Sequence, residues 1–263
     1  RISLPGVWPD VRAVGPVFQR GRGVPRLRFA PCDQAPFRRQ HAAWRRPFLL
    51  PGHARLQTRS RRLLRWRLRL RQLGGFVSRL SDAVGSRSSS LVQREGARQA
   101  AVAVVLCEAA DPALVLIRRK VRAADPWSGQ MAFPGGYQAD DSEPLADTAR
   151  RETLEETGLD LGTLGQLRGI LDEVSPRTPF LPPLIVRPHL FTVAVASPLR
   201  AGDEADAALW VPVRELFDPS RQTLFSLPLP DGVREFPAIA IGEHLIWGLT
   251  ERILRQVADL AAL

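Results

Sequence analysis

Five apolar runs along the chain predict β-strands. Two of them, residues 100–106 and 113–117, are rich in Val, Leu and Ile and flank a turn at Asp111 and Pro112. Runs without alternating polar positions are typical of strands that are buried on both faces of a sheet. The other three runs are residues 167–174, 184–196 and 236–241. We expect Pro188 to break the second of these three, because proline cannot donate a ladder hydrogen bond.

Helices are predicted in four further segments. The strongest prediction is residues 144–157, because Pro144 is favourable in a first turn and Gly158 follows where helices commonly end. Ser142 is the expected N-cap, with Glu143 and Pro144 in the first turn. The other helices are predicted for residues 76–87, 213–217 and 243–263.

Three glutamates share one face of the predicted 144–157 helix. Glu152, Glu155 and Glu156 are related by steps of three and four residues, which places them on the same side. Like charges in this arrangement repel each other, so an ordinary surface helix gains nothing from it. Hard divalent cations such as Mg²⁺ choose carboxylate oxygens and remove the repulsion. The pattern therefore indicates a metal site, although a solvated acidic helix would show the same run of charge.

Charge is distributed unevenly along the 263 residues. Residues 1–80 contain 19 arginines and only two acids, Asp10 and Asp33, whereas the rest of the chain has an excess of acidic groups. We therefore divide the chain into an Arg/Pro-rich leader, residues 1–75, and a catalytic domain, residues 76–263. The leader lacks a coherent hydrophobic period.

The leader has three interpretations. It is an upstream extension of the gene model, a disordered basic tail, or a targeting or binding arm; the first draws support from the single methionine, Met131, being internal. Residues 55–71 mix leucines and Trp66 among arginines, which is typical of arms that bind nucleic acid or anionic membranes. Organellar transit peptides are also rich in Arg and poor in acids. Nucleic-acid binding by the leader is the minor alternative.

The cysteine content argues against a disulfide framework and against a zinc site. Cys32 and Cys107 are the two cysteines of the chain, and they lie far apart without a C-x-x-C spacing. Such a chain suits a reducing compartment. No apolar run approaches the length of a membrane span. We therefore expect a cytoplasmic protein without a transmembrane segment.

The acidic helix and the glycine turn before it resemble the Nudix box, G-x5-E-x7-R-E-U-x-E-E-x-G-U, where U is a bulky apolar residue. Residues 151–159, RETLEETGL, match its second half, with Thr153 at an apolar position. Glu143 precedes Arg151 by the required seven intervening residues. One extra residue separates Gly136 from Glu143, and a similar insertion is a feature of the coenzyme A pyrophosphatase branch.

Other segments are also similar to the coenzyme A branch. Residues 129–136, GQMAFPGG, resemble its G-Q-x-x-F-P-G-G signature, and residues 246–250 follow its C-terminal pattern. The Arg and His that this branch usually carries before G-Q are missing, and Asp125 and Trp127 stand in that region instead. The resemblance covers about residues 95–263. It implies an α/β protein with the Nudix fold, an α/β/α sandwich with a mixed central sheet.

The resemblance implies roles for the residues of the box. The metal ligands would be Glu152, Glu155, Glu156 and the backbone carbonyl of Gly136, with Glu155 or Glu156 the most essential. Arg151 would orient a ligand glutamate by a bidentate contact. Glu143 would either support the metal ligands without binding the metal itself or help to bind a further ion.

The identity of the general base stays open between a glutamate of the box, Glu204 and Glu173. Residues 204–212, EADAALWVP, resemble the E-V-x-x-x-x-W-V-P segment of Nudix enzymes, in which the glutamate often approaches the metal. Alternatively, Glu204 is a surface acid before an edge strand. The proline-rich residues 176–183 predict a loop over the site.

A run of cations follows the second predicted strand. Its members are Arg118, Arg119, Lys120 and Arg122. They are either an exposed strand end or, because they stand just before the glycine turn, a cationic mouth for phosphates. Trp127 either stacks on a base of the substrate or packs against the protein.

The resemblance implies a Mg²⁺- or Mn²⁺-dependent pyrophosphohydrolase that acts on a nucleotide-type small molecule. Coenzyme A or acyl-coenzyme A, cleaved to phosphopantetheine and 3′,5′-ADP, is the expected substrate. The alternatives are another nucleoside diphosphate derivative, such as a nucleotide sugar or a dinucleotide, and a non-catalytic nucleotide sensor. A homodimer is an open expectation.

Overall fold

The computed structural model describes residues 75–122, 128–176, 183–229 and 232–261, so the predicted leader lies almost entirely outside the described residues. In chain order the elements are α1 (Phe76–Gly85), β1 (Arg98–Cys107), β2 (Ala113–Arg119), β3 (Met131–Ala132), β4 (Gly135–Tyr137), α2 (Leu145–Thr157), β5 (Gly165–Ile170), β6 (Leu184–Val193), β7 (Ala205–Pro212), α3 (Val213–Leu216), a 3₁₀ turn (Pro219–Arg221), β8 (Gln222–Leu229), β9 (Gly232–Ile241), β10 (His244–Trp247) and α4 (Gly248–Ala261).

Seven strands form a mixed central sheet. Its order is β3-β2-β1-β6-β5, with β4 paired to β1 and β7 paired to β2. β1 and β6 run parallel from the pair Arg98 and Leu184 to the pair Cys107 and Val193. The other strand pairs of this sheet in the described residues are antiparallel. The predicted mixed sheet is therefore confirmed.

Helices cover both faces of this sheet, because its central strands are apolar on both sides. On one face, α1 and α4 pack over a core that includes Leu106, Leu114 and Leu190. On the other face, Ala149 of α2 packs with Ala101 of β1 in a second core. This arrangement confirms the predicted α/β/α sandwich, and it sets α2 directly against β4 and β1.

The helix predicted for residues 243–263 begins later than expected. Residues His244–Trp247 form β10 instead, which completes a three-stranded antiparallel sheet in the order β10-β9-β8. Ile246 pairs with Ile239, and both side chains are fully buried, so strand pairing brings this short apolar run into the core. Gly248, at φ 71°, then turns the chain into α4.

Pro188 does not break β6, contrary to the sequence-based expectation. Its carbonyl accepts a hydrogen bond from the backbone N–H of Leu171 at 2.9 Å, on the side away from β1. Groups of one strand residue point to the same side, so the missing N–H of Pro188 removes no bond to β1. The parallel pairing of β1 and β6 continues through this position, where Val102 faces Pro188.

The remaining elements are confirmed with shifted ends. β5 ends at Ile170 rather than at residue 174, and Val174 pairs with Val186 only as an isolated bridge. Most of the proline-rich loop predicted at residues 176–183 lies outside the described residues. Within the described chain, no helix has the length and apolarity needed to cross a membrane.

Candidate active site

The helix α2 begins two residues later than an N-cap at Ser142 would require. The Ser142 hydroxyl and backbone N–H are both engaged by the Asp140 carboxylate in the preceding turn, so this side chain does not cap the helix. Pro144 occupies the N-cap position without a side-chain hydrogen bond. The C-terminal end is as predicted: Gly158, at φ 69°, donates its N–H to the carbonyl of Leu154 at 2.9 Å.

The three glutamates of α2 differ in exposure. The Glu155 side chain is 59% exposed, whereas that of Glu152 is 15% exposed. Glu156 is buried, and its Oε2 accepts the backbone N–H of Gly135 at 2.9 Å. Burial raises the pKa of Glu156 to about 7, and the charge of Glu152 contributes in the same direction.

The Glu152 carboxylate lies directly against Gly136, which with Gly135 belongs to strand β4 and not to a turn as the sequence predicted. A Cβ added to Gly136 would stand 2.4 Å from Cδ and Oε1 of Glu152, so only glycine leaves this space to the carboxylate. Burial raises the pKa of Glu152, as do the charges of Glu155 and Glu204, while Arg151 acts in the opposite direction. The packing of α2 against β4 thus brings two anionic side chains together at a cost that a cation would offset.

Arg151 lies between Glu143 and the glutamates of α2. It donates from Nε to Glu143 Oε1 at 2.9 Å and from a terminal nitrogen to Glu143 Oε2 at 3.3 Å, a bidentate contact. The other terminal nitrogen donates to Glu152 Oε1 at 2.7 Å and lies 3.7 Å from Glu155 Oε1. Hydrogen bonding by Arg151 lowers the pKa of Glu143 to about 2. The predicted bidentate contact therefore exists, but its partner is Glu143 rather than a glutamate of the ligand set.

Glu204 reaches the same site from the loop before β7. The backbone N–H groups of Arg200 and Gly202 donate to the carbonyls of Thr157 and Glu156 at the end of α2, at 2.8 and 3.0 Å. A Cβ on Gly202 would stand 2.0 Å from the carbonyl oxygen of Glu155. The charge of Glu204 raises the pKa of Glu152 and of Glu156. Gly202 was not predicted as a site residue; its one sequence signal is a glycine two positions before Glu204.

β7 contains a β-bulge shortly after Glu204. Arg118 of β2 faces Ala207, whereas Arg119 faces Ala205, so Asp206 is the extra residue of β7. Asp206 forms an ion pair with Arg118 at 3.5 Å.

The structure does not bring the predicted cations to one mouth. Arg119 lowers the pKa of Glu156 through its charge and so faces the carboxylates. Arg118 faces the other side of the sheet, since strand residues alternate, and its charge acts on His244, whose pKa is lowered chiefly by burial. Arg122 forms an ion pair with Glu204 at 3.2 Å. Trp127 lies outside the described residues.

Glu173 is engaged elsewhere. Its Oε1 accepts Arg187 Nε at 2.8 Å, and its Oε2 accepts the backbone N–H of Val92 at 2.7 Å. The side chain is only 2% exposed. Both carboxylate oxygens therefore serve a buried structural contact, which leaves Glu204 and the glutamates of the box as candidate bases.

The donor set of α2 fits a hard divalent cation. The carboxyl groups of Glu152 and Glu156 lie against the glycine backbone of β4, and the charge of Glu152 raises the pKa of Glu156, so a bound cation would favour the ionised form of both. In the described residues, no three His, Cys, Asp or Glu side chains converge closely enough to form a ready-made cation site. Glu155, which is exposed and in contact range of Arg151, is the third donor that a rotation of its side chain would add.

Comparisons with known proteins identify the family of the chain. The family model for the NUDIX domain matches residues 97–228. An uncharacterised Nudix hydrolase, NudL of Yersinia pestis, is 30% identical over 164 residues, which are 62% of this chain and 79% of that protein. An uncharacterised protein of Schizosaccharomyces pombe is 36% identical over 116 residues, which are 43% of this chain. That match spans 35%, about a third, of the yeast protein's length.

A solved structure shows a partial likeness. The MutT/nudix family protein from Enterococcus faecalis aligns with a TM-score of 0.43 at 23% sequence identity, over 64% of this chain and 63% of its own. The family assignment rests on the match to the NUDIX model and on the NudL relative. The chain therefore belongs to the Nudix family of pyrophosphohydrolases.

Proposed function

We propose that the chain hydrolyses the diphosphate linkage of coenzyme A or an acyl-coenzyme A, releasing phosphopantetheine and 3′,5′-ADP. The observation that carries a hydrolytic role is the pair of carboxylates, Glu152 and Glu156, packed against the Gly135–Gly136 backbone. Two buried like charges are costly in a plain helix, and their placement is explained by a bound cation.

The residues that would hold Mg²⁺ or Mn²⁺ are the three glutamates of α2 and the glycine backbone of β4. They are Glu152, Glu155, Glu156 and the carbonyl of Gly136. Nudix hydrolases generally use divalent metals. When bound, such ions neutralise charge on phosphoryl oxygens and lower the pKa of an attacking water.

The chain's own residues divide the remaining work. Arg151 holds Glu152 in place while Glu143 holds Arg151. Glu204 acts as general base and accepts the proton of the attacking water, whose oxygen forms the new bond to phosphorus. The bridging P–O bond breaks, and its electron pair leaves with the departing phosphate. Arg119 faces the carboxylates and supplies positive charge for the phosphates.

The choice of coenzyme A rests on sequence. The supports are the GQMAFPGG segment, residues 129–136, and the extra residue between Gly136 and Glu143. A second candidate, another nucleoside diphosphate derivative such as a nucleotide sugar or a dinucleotide, is favoured by one observation. Asp125 and Trp127 stand in the region where the coenzyme A branch carries Arg and His.

A substrate panel tests the proposal. The full chain would be assayed for phosphate-containing products from coenzyme A, acetyl-coenzyme A, ADP-ribose, NADH and a nucleotide sugar, with Mg²⁺ and with Mn²⁺. The test variant is Glu155→Gln, which leaves a side chain of the same shape at an exposed position. The matched control is Glu108→Gln, which removes an ion pair with Arg168 at the far end of β1.

Selective cleavage of the two coenzyme A substrates, abolished in Glu155→Gln and kept in Glu108→Gln, is the expected result. Cleavage of another diphosphate would retain the hydrolase and reject the substrate. Binding without turnover of every compound would reject hydrolysis and favour a nucleotide sensor.

Partner and location proposals accompany this function. The two cysteines, Cys32 and Cys107, support action in the reducing cytoplasm. The molar mass measured by light scattering would show whether the protein is a homodimer. Nucleic-acid binding by the leader predicts a salt-sensitive affinity that is lost when residues 1–75 are deleted; an unchanged affinity would exclude it.

A further inference from the structure

Three threonines on the buried side of α2 use their hydroxyl groups in two different ways. Thr153 donates to the carbonyl of Ala149, and Thr157 donates to the carbonyl of Thr153, both at 2.6 Å. Such bonds to the preceding turn are the usual outlet for a buried helical hydroxyl. Thr148 is also fully buried, yet its hydroxyl donates to Glu143 Oε2 at 2.8 Å. The hydroxyl of Thr148 is therefore directed out of the helix and onto a carboxylate.

That carboxylate determines where Arg151 lies. Oε1 of Glu143 accepts from Arg151 Nε, while Oε2 accepts from Thr148 and from the backbone N–H of Ala139, the latter at 2.8 Å. A carboxylate held at both oxygens cannot rotate about its terminal bond without losing a hydrogen bond. The plane of the Glu143 carboxylate then fixes the plane of the Arg151 guanidinium, because two nitrogens of the guanidinium donate to its two oxygens.

The opposite side of the same guanidinium contacts the site. Arg151 donates to Glu152 Oε1 at 2.7 Å and to the carbonyl of Tyr137 at 3.2 Å. A continuous series of hydrogen bonds therefore runs from Thr148 through Glu143 and Arg151 to Glu152. Removal of the Thr148 hydroxyl would take one donor from Oε2 of Glu143 and leave a methyl group beside it, so that only the N–H of Ala139 and the longer 3.3 Å contact from Arg151 would hold this oxygen.

We propose that Thr148 is a positioning residue of the active site: its hydroxyl fixes the Glu143 carboxylate, and thereby the Arg151 guanidinium that holds Glu152. Thr148 touches neither substrate nor the glutamates of α2 that would bind metal. Its effect on turnover rests on the proposed function, whereas its effect on Arg151 does not.

The test compares three substitutions in the full chain. Thr148→Val removes the hydroxyl at constant shape, and Thr148→Ser keeps it. Thr153→Val is the matched control, because it removes an equally buried hydroxyl of the same helix that bonds only to a helix carbonyl. Each variant is compared with wild type by the NMR signal of the Arg151 Nε–H, by Mn²⁺ titration calorimetry, by thermal unfolding, and by kcat and KM on the compound that wild type cleaves fastest among coenzyme A, ADP-ribose and NADH.

We expect Thr148→Val to broaden or shift the Arg151 Nε–H signal, to weaken Mn²⁺ binding, and to lower kcat by about 10- to 100-fold with little change in KM. Thr148→Ser and Thr153→Val should stay close to wild type in the Arg151 Nε–H signal, in Mn²⁺ affinity and in kcat, and thermal unfolding would show that all the variants are folded. Equal effects of the two valine substitutions, or failure of serine to restore the wild-type signal, would overturn the proposal. If wild type cleaves none of the compounds, the proposed function fails, while the Arg151 signal and Mn²⁺ affinity still decide the role of Thr148.

Discussion

Replacement of Gly136 by alanine tests whether the Glu152 carboxylate must lie against the glycine backbone of β4. The new Cβ would stand 2.4 Å from Cδ and Oε1 of Glu152 and 2.7 Å from Oε2, whereas ordinary contact begins at 3.4 Å. The carboxylate must therefore retreat by about 1 Å. The yielding group is the end of a flexible side chain rather than backbone, so the fold is expected to survive.

The functional cost follows from this displacement. A shift of about 1 Å in a positioned group lowers turnover by about 100-fold, which corresponds to about 2.7 kcal/mol of transition-state stabilisation. We expect kcat/KM of Gly136→Ala to fall by that factor and its Mn²⁺ affinity to fall with it. The free energy of unfolding should change by less than about 1 kcal/mol, because no buried backbone atom is displaced.

The neighbouring glycine provides the control. A Cβ at Gly135 would stand 2.2 Å from the carbonyl oxygen of Ala101 and 2.6 Å from the Cα of Val102, both of them backbone atoms of β1. Gly135→Ala should therefore separate β4 from β1 and lower the melting temperature sharply. Steady-state kinetics with urea unfolding would distinguish the two variants. A Gly136→Ala protein with wild-type kcat/KM would refute the placement of Glu152 at the reacting centre.

Three further perturbations have defined outcomes. Glu143→Gln removes the charged acceptor of Arg151, so we expect kcat to fall about 10- to 100-fold and stability to fall by about 1–3 kcal/mol; a stable variant with full activity would contradict this. Glu204→Gln, at an exposed position, should lower kcat by about 100-fold at an unchanged melting temperature. Glu173→Gln should instead lower the melting temperature, because it weakens the ion pair between the buried Glu173 and Arg187. The opposite result would make Glu173 the base and Glu204 the structural residue. His189 is buried, and desolvation lowers its pKa from 6.5 to about 4, so the unfolded chain binds a proton that the folded chain does not. Its stabilising contribution is complete above about pH 6.5 and is lost as the pH falls towards 4, by about 2 kcal/mol between pH 7.5 and 5. When the pH is lowered from 7.5 to 5, the free energy of unfolding of wild type, measured in urea, should fall by about 2 kcal/mol relative to that of His189→Phe, because Glu156 and the other titrating groups contribute to both proteins alike. The same pH dependence in the two proteins would refute it.

The local part of the site was predictable from sequence because its determinants lie within one helix and one turn. The spacing of Glu152 and Glu156, together with Gly158 at the helix end, specified the acidic face of α2. The same reasoning could not assign unequal exposure to the three glutamates. Exposure depends on which side of α2 meets β4 and β1, and that is decided by packing rather than by helical period.

Non-local features were harder to predict. The approach of Glu204 depends on backbone bonds between Gly202 and the end of α2, and such bonds leave no pattern of side chains. The segment that became β10 was predicted as part of a helix, and its short apolar run, Leu245 to Trp247, fits both periods. Its pairing with β9 decided between them. Arg118 was placed with Arg119 by adjacency in sequence, although adjacency along a strand puts side chains on opposite faces.

The backbone attachment of the 200–204 loop to α2 has a consequence for sequence divergence. Main-chain N–H groups make both bonds, so the side chains at Arg200 and Asp203 are free to change without loosening the attachment. Gly202 is the exception, because any Cβ there would overlap the carbonyl of Glu155. Homologues can therefore vary this loop widely, altering the surface beside the glutamates of α2, while Glu204 keeps its position. The rim of the proposed metal site can thus diverge without moving the carboxylates.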